Sequence, residues 1–355
     1  MIYVHVPFCG SFCTYCDFYS EIGSAKAYER YADSLVAEID RRRGEIRTEP
    51  STLYFGGGTP SVLPLHIFSR IAGALADFAP FREFTVEANP EDIRDKGPEY
   101  VLGLKSLGVN RISIGVQSFD DDMLRKMNRR HDAAGAMEAF GLLRDSGFTN
   151  ISLDLIFGGS SMSEASWAET LRLAVLLHPE HISCYQLTVE GDSALSRMKA
   201  EGRYKEASDE ACEKQYRMLC EALGKAGYSH YEISNFALPG YEAVHNSAYW
   251  ARASYVGLGP SAHSFDGIRR RWNSKGLVDW TSEEEILSEE DAVIETIMLS
   301  LRTASGCEAS YLKKHCGAEA LEKALTCGDL IEAGSRLRIP EERFFISDAI
   351  IRDLV

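Results

Sequence analysis

Three of the nine cysteines in this 355-residue sequence, Cys9, Cys13 and Cys16, crowd into the eight residues CGSFCTYC. The spacing C-x3-C-x2-C puts three thiolates on one compact turn, where they can reach three corners of a 4Fe-4S cluster and leave the fourth iron without a cysteine. An iron left open in this way can accept an exogenous chelating ligand, as catalytic metal sites in general keep one position free. The competing reading is a zinc site or three unrelated thiols. Structural zinc usually closes with four ligands in paired C-x2-C groups, and no second pair follows. His5 is a spare ligand, although a histidine in an alternating strand more often packs or hydrogen-bonds. Cys184, Cys212, Cys220, Cys307, Cys316 and Cys327 are scattered through apolar or helical patterns and read as buried structural thiols.

The elements that must position this loop follow a βα rhythm. IYVHV at 2–6 is a short alternating strand that delivers the chain into the cysteines. Further strands are predicted at 52–56, 84–90, 111–119, 151–158 and 181–188, separated by helical patterns near 25–43, 64–78, 98–107, 132–146 and 163–177. Repeated βα units demand a parallel sheet, and periodicity alone does not choose between a barrel and an open doubly wound sheet. The polar residues do choose. Cys16, Thr59, Glu87, Gln117 and Asp154 each fall at or just beyond a strand end, where barrels build their sites. The expected fold is α/β, a partial (β/α)6 TIM-like barrel over 1–200. A family-specific elaboration carrying HNSAYW is expected over 201–280. A small C-terminal winged-helix-like unit is expected over 281–355, with RLRIP and RFFIS as its β pair.

Composition narrows the function classes. Hydrophobic residues at 45% and charged residues at 26% are ordinary for a globular enzyme-like chain. The net charge of -15 opposes general attraction to nucleic acid or anionic lipid. No apolar run reaches the roughly 18 residues of a membrane span, and Met1 to Val6 is too short and uncharged for a signal peptide. A cytoplasmic location is expected, with thiols reduced or metal-bound rather than paired in disulfides.

The segment YVHVPFCGSFCTYCDF resembles the radical-SAM signature of the oxygen-independent coproporphyrinogen III oxidase (HemN-like) superfamily, and within it the heme-chaperone branch, HemW. The likeness runs over nearly the whole chain and implies a radical-SAM barrel. In that family S-adenosylmethionine (SAM) chelates the open iron through its amino and carboxylate groups, and an electron from the cluster can cleave it. The resemblance implies that Gly57, Gly58 and Thr59 bind the methionyl end of SAM, and Glu87 its ammonium or ribose. It gives Gln117 and Asp154 the ribose or sulfonium side, and Arg129, twelve residues beyond Gln117, the carboxylate, with Arg130 as fallback. Tyr3 and Tyr15 match aromatic positions that pack around SAM. Without the resemblance each residue has a plainer reading. A glycine run is a turn, a strand-end glutamate is a rim charge, and a basic pair caps a helix end. Tyrosines pack in cores.

Two local features separate the branches. The oxidase pattern carries another cysteine two residues after the third, whereas Asp17 and Phe18 follow Cys16. The chain also begins two residues before Tyr3, without the extension that the oxidases use to cover substrate. HNSAYW at 245–250 matches the HNxxYW motif of the chaperone branch, with His245 a candidate axial heme ligand and His263 the alternative. Read alone, His245 is more often a structural hydrogen-bonder. The resemblance therefore implies a chaperone that binds a 4Fe-4S cluster, SAM and heme, takes electrons from a donor, and delivers heme to acceptor proteins, membrane-embedded ones included. No nucleic-acid partner is expected. Coproporphyrinogen decarboxylation, or radical-SAM chemistry on another tetrapyrrole, is the alternative.

Overall fold

Each main strand alternates apolar residues with polar or small ones, as in Ile2-Tyr3-Val4-His5-Val6 and Ile151-Ser152-Leu153-Asp154-Leu155. A strand built this way has one greasy face and one wet face. In the computed structural model, which describes residues 1–46, 51–189 and 191–355, six such strands form β1 (Ile2–Val6), β2 (Thr52–Gly57), β3 (Glu83–Ala88), β4 (Arg111–Gln117), β5 (Ile151–Phe157) and β6 (His181–Gln186). They pair in parallel and in sequence order. A doubly wound sheet reverses its order at a switch point. With no reversal, right-handed crossovers put every helix on one face, and the sheet curls around the other. The expected partial α/β barrel is the fold found.

The apolar faces meet the helices. Val4, Phe55, Val86, Ile112 and Leu153 are fully buried, as is Trp167 on the helix Glu164–Leu177. The Trp167 indole N–H donates to the Gln215 carbonyl at 2.9 Å, tying in the helix Asp209–Lys225. The segment beyond residue 200 returns to the barrel through β7 (Ser229–Glu232), β8 (Asn235–Ala237) and β9 (Val256–Leu258). The nine-stranded order is β9-β1-β2-β3-β4-β5-β6-β8-β7. β9 lies parallel to β1, and β8 antiparallel to β6, so both open edges of the six-stranded core are covered.

Several boundaries differ from expectation for identifiable reasons. The third helix starts at Pro90 rather than near 98, because a proline just after Asn89 suits a first helical turn, and the break falls at Gly97, where φ is 69°. HYEISNFA, at 230–237, forms most of the β7–β8 hairpin. RFFIS is part of a 3₁₀ turn, Glu341–Ile346, rather than a strand, since Pro340 cannot continue a ladder. Arg336–Arg338 pairs instead with Ile331–Ala333 and Cys307–Glu308. With the helices Glu289–Leu301, Ala309–His315 and Ala318–Thr326, the order helix, strand, helix, helix, strand, strand is winged-helix-like. A boundary at 281 would cut a sheet, because Ser282–Ile286 pairs with Arg269–Asn273. The C-terminal unit opens instead at the Ser288 capping box. No helix among the described residues is long and apolar enough to cross a membrane.

One buried ionic network locks β9 to the barrel. Glu38 and Arg42, on the helix Ala25–Arg42, form an ion pair at 3.2 Å with both side chains almost wholly buried. Glu38 also accepts from Gly259 N, Asn273 Nδ2 and Trp280 Nε1, and Arg42 donates to the Gly257 carbonyl at 2.6 Å. Every lone pair has a partner, so removing one member strands the others. Glu38→Ala is expected to lower stability by about 3–5 kcal/mol, read as a shift of the urea midpoint at constant slope. A change under about 0.5 kcal/mol would contradict this role.

Candidate functional site

At the C-terminal end of β1 the chain leaves the sheet. Phe8–Cys9 pair with Glu21–Ile22 and close the base of the cysteine loop. The loop has little regular structure, so its backbone must bond elsewhere. Thr14 donates through N to Met127 O at 3.2 Å and through Oγ1 to Lys126 O at 3.0 Å. Asn128 Nδ2 donates to Phe12 O at 2.7 Å from a left-handed backbone, φ 58°, that asparagine tolerates. Leu195 N donates to Thr14 O at 2.7 Å.

The glycine run welds β2 to this stem. Gly58 N donates to Val6 O at 2.8 Å and Thr59 N to Phe8 O at 2.6 Å. A Cβ on Gly58 would lie 2.6 Å from the Phe8 carbonyl oxygen, and one on Gly57, φ 105°, would lie 2.5 Å from the His5 ring. The glycines are thus required by the chain's own close approach, whatever else approaches them. His5 itself hydrogen-bonds Tyr3 OH and Tyr19 O, as its place in an alternating strand suggested.

The three thiols are partly exposed and unpaired. Burial pushes the Cys16 thiol up to about 11, and Cys13 and Cys9 add to the shift against a backbone hydrogen bond at Phe18. Cys9 is raised chiefly by burial as well. Thiols that resist ionising side by side are poor nucleophiles, and a bound metal is what removes their protons. The donor set fits a cluster.

Hydrogen bonds run from one cysteine to another through residues of three strands' ends. Arg129 Nη1 donates to Cys13 Sγ at 3.4 Å, and Nη2 to Asn89 Oδ1 and to the Gly115 carbonyl, both at 2.6 Å. Asn89 Nδ2 donates to Thr59 Oγ1 at 3.2 Å, and Thr59 Oγ1 to Cys9 Sγ at 3.5 Å. Arg129 Nε is buried with no partner among the described residues. Burial works against the Arg129 charge, but Tyr15, Cys13 and Glu91 hold it as a cation. A buried guanidinium donor left open beside thiols fits a ligand carboxylate. Tyr15 lies close enough to Arg129 and Cys13 for both to perturb its hydroxyl, which burial pushes up.

Gln117 ends β4 at a register shift, with φ 68°, a strained conformation for a non-glycine residue that persists where the surroundings enforce it. Its amide folds over Gly115, where a Cβ would meet Gln117 Nε2 at 2.8 Å and Asn89 Oδ1 at 3.2 Å. His131 steadies this end by bonding Val116 O at 3.0 Å and Glu91 Oε2 at 3.1 Å. Arg130 goes elsewhere. It pairs with Glu91 and Asp92 and packs under Gly10, so the geometry assigns the cluster side to Arg129 and the loop's underside to its neighbour.

The concave face of the sheet is polar. Tyr3 stacks on Tyr54 with centroids 6.1 Å apart. Tyr54 OH donates to Glu87 Oε1 at 2.7 Å and Gly57 N to Glu87 Oε2 at 3.2 Å. Burial, with Asp154 adding, pushes the Glu87 carboxyl up to about 7. Burial likewise lifts Asp154 to about 6, against Ser113 Oγ at 3.0 Å from both its oxygens. Asp154, Ser183, Asn235 and Glu232 follow one another across neighbouring strands. Thr85 Oγ1, Glu232 Oε1 and Asn235 Oδ1 are buried without partners among the described residues. Barrel interiors are usually filled with branched aliphatic side chains, so a polar one with carboxyls titrating near neutrality is a ligand-site signature.

Thr59, Gln117, Arg129, Tyr15 and the cysteines gather where the strands end, and Tyr3, Glu87 and Asp154 line the concave face, Asp154 from the middle of β5 rather than from the strand end expected of it. Asn89, Tyr54 and Ser113 belong there too and were missed, although the alternation in TLYFGG and RISIGVQ marks Tyr54 and Ser113. His245 does not fit its expected role. On the helix Val244–Trp250 it is 1% exposed, its Nδ1 is 2.7 Å from Thr52 Oγ1 and its Nε2 is 3.0 Å from Tyr249 OH. Burial lowers it to about 3. The ring bolts that helix to β2, with neither nitrogen open to an iron. His263 is exposed and stacks on Trp272 at 6.2 Å.

The Radical SAM superfamily profile matches residues 3–174. A solved structure, coproporphyrinogen III oxidase (HemN) from Escherichia coli, described as a radical SAM enzyme, covers 99% of this chain and 89% of its own with a TM-score of 0.82 at 22% identity. That likeness concerns the fold. The barrel and its cysteine loop define a radical SAM protein. Proteins named Heme chaperone HemW are similar over most of the chain. The one from Lactococcus lactis subsp. lactis is 33% identical over 315 residues, 86% of this chain and 82% of its own. That from Mycobacterium tuberculosis is 31% identical over 376 residues, 100% and 94%. This chain belongs to the HemW heme-chaperone family.

A carboxyl held above its ordinary value in the folded state binds protons that the unfolded state has released. Its contribution is full below the unfolded value and is lost as pH rises through the folded one. Ligand-free protein is therefore expected to lose stability between about pH 4.5 and pH 7 on account of Glu87. Glu87→Gln should melt above wild type at pH 8 and match it near pH 4. Equal melting temperatures at both pH values would contradict the assignment.

Proposed function

We propose that this chain is a heme chaperone that holds a 4Fe-4S cluster on Cys9, Cys13 and Cys16, binds SAM in the polar mouth, and passes heme to acceptor proteins. The observation that carries the cofactor half is the hydrogen-bonded run from Cys13 through Arg129, Asn89 and Thr59 to Cys9, with Arg129 Nε still unpartnered. The cluster, when bound, supplies one-electron chemistry at an iron that takes SAM as its exogenous ligand. Arg129 receives the SAM carboxylate, and the backbone of Gly57 and Gly58 with Thr59 lines the methionyl end. Glu87 accepts from the ammonium or ribose, and a cation there draws it to ionise and release its proton. Gln117 and Asp154 face the ribose and sulfonium side, with Tyr3 and Tyr15 packing around the ligand.

Membership of the HemW family supports the chaperone reading over decarboxylation. So does Phe18, 69% exposed, where the oxidase pattern has another cysteine. Heme ligation falls to His263 rather than His245, since its imidazole is the exposed one. An electron donor and acceptors, membrane-embedded ones included, complete the partners, with the cytoplasm as the place of action.

The test is anaerobic reconstitution with iron and sulfide, followed by heme titration and incubation with SAM and coproporphyrinogen on the same sample. Heme should bind to saturation while coproporphyrinogen persists. His263→Ala should change the Soret band, and His245→Ala should leave it in place for the folded fraction. Decarboxylase turnover, or absence of heme binding, would overturn the proposal.

A further inference from the structure

On the far side of the β7–β8 hairpin from the mouth, three side chains from separate segments converge. Cys220 comes from the helix Asp209–Lys225, His230 from β7, and Glu341 from the 3₁₀ turn Glu341–Ile346. Their ligand atoms all lie within 4.8 Å of one another. His230 Nδ1 is 3.3 Å from Glu341 Oε1 and 4.0 Å from Cys220 Sγ.

The His230 ring is fixed in place. It stacks on Phe236 with centroids 4.0 Å apart, meets Phe344 edge-on at 5.0 Å, and its side chain is 1% exposed. Nε2 lies 3.4 Å from the Ile233 carbonyl and 3.3 Å from Tyr216 OH. The Tyr216 hydroxyl also lies 3.2 Å from that carbonyl, so an Nε2–H has two oxygens able to accept from it. With the ring proton on Nε2, Nδ1 turns its lone pair toward a carboxylate and a sulfur. A carboxylate has no hydrogen to offer. In that tautomer a cation between Nδ1 and the carboxylate satisfies both groups, and in the other Nδ1–H donates to Glu341 itself.

We infer that Cys220, His230 and Glu341 form a second metal site, for a zinc-type divalent cation, separate from the cysteine loop. Sulfur, imidazole nitrogen and carboxylate oxygen are the zinc donor set, and ligands of four-coordinate zinc stand roughly 3.3–3.7 Å apart; His230 and Glu341 already stand 3.3 Å apart, and Cys220 Sγ, 4.0 Å from Nδ1, closes in on the ion. The Nε2 contacts are the outer hydrogen bonds that orient a metal-bound histidine. Glu341 is 51% exposed, which provides an entry path and leaves the fourth position to water. Bound there, the ion staples the C-terminal segment to the hairpin whose Tyr231 and Glu232 belong to the barrel's inner wall. It joins existing contacts from Ile233 N to Arg302 O and Ala304 N to Tyr231 O. Cys220, read from sequence as a buried structural thiol, thus has a partner set of its own.

The test uses the full-length chain with Cys9→Ser, Cys13→Ser and Cys16→Ser together, so that the loop cannot take the ion. Anaerobic Co2+ titration should give a thiolate-to-cobalt charge-transfer band and visible bands of four-coordinate cobalt, saturating at one ion per chain and displaced by Zn2+. Cys220→Ser should abolish the charge-transfer band. Glu341→Gln changes an exposed residue that the fold does not need, and should raise Kd about tenfold or more. Cys327→Ser should change nothing. Failure to bind Co2+, which would leave only a proton between His230 and Glu341, overturns the inference, as does binding unaffected by Cys220→Ser and Glu341→Gln.

Discussion

A guanidinium withdrawn from water needs anions or acceptors on every face, and Arg129 finds them in places far apart in sequence: the Cys13 thiol, the Asn89 amide oxygen and the Gly115 carbonyl. These contacts join the cysteine loop to the ends of β3 and β4. Asn89 then passes the connection to Thr59 and so to Cys9. The loop has little secondary structure to stiffen it, and this run sets where its sulfurs stand. Three more of its bonds, two from Thr14 and one to Phe12, join it to residues 126–128 immediately before the same arginine, and Leu195 N bonds Thr14 O from the other side. The bare Cα of Gly115 belongs to the same cluster, since a Cβ there would meet the Gln117 amide at 2.8 Å and Asn89 Oδ1 at 3.2 Å, the two groups packed beside the Arg129 head group. The groups that Arg129 touches directly are neutral and the Glu91 carboxylate stands nearby; metal-bound thiolates and a ligand carboxylate would bring negative charge to the side of the unpartnered Nε.

The polar concave face has a similar logic on a larger scale. Aliphatic packing would have stabilised the barrel more, at roughly 25 cal/mol for each Å² removed from water. Tyr54, Glu87, Ser113 and Asp154 occupy those positions instead, with two carboxyls pushed toward neutrality by burial. The structure recovers stability outside the interior, through the fully apolar outer face of the sheet and through the Glu38–Arg42 network that ties β9 to the first helix. Stability and site thus occupy opposite faces of the same strands, which is what a period of two in the sequence permits.

That period explains how much was legible beforehand. The six parallel strands and their order of appearance follow from alternation, and strand-end placement marks Thr59, Glu87 and Gln117, whereas Asp154 sits in the middle of β5 and is marked by alternation alone. Asn89 was not legible, because its importance depends on Arg129 arriving from forty residues away. His245 was misjudged for a related reason. A motif match says nothing about whether both ring nitrogens are already engaged, and Thr52 and Tyr249 engage them. The third helix and the RFFIS segment were misplaced where a proline, Pro90 or Pro340, changed the local rules.

We propose that the loop's three cysteines hold a cluster whose open iron faces a SAM pocket ordered by Arg129. Electron paramagnetic resonance of the reduced, reconstituted protein with and without SAM tests it most directly. Wild type should give a 4Fe-4S signal whose g-values shift on adding SAM, and Arg129→Ala a signal of similar intensity that no longer responds to SAM. A cluster signal indifferent to SAM in the wild-type protein, or the same SAM response in Arg129→Ala, would contradict it.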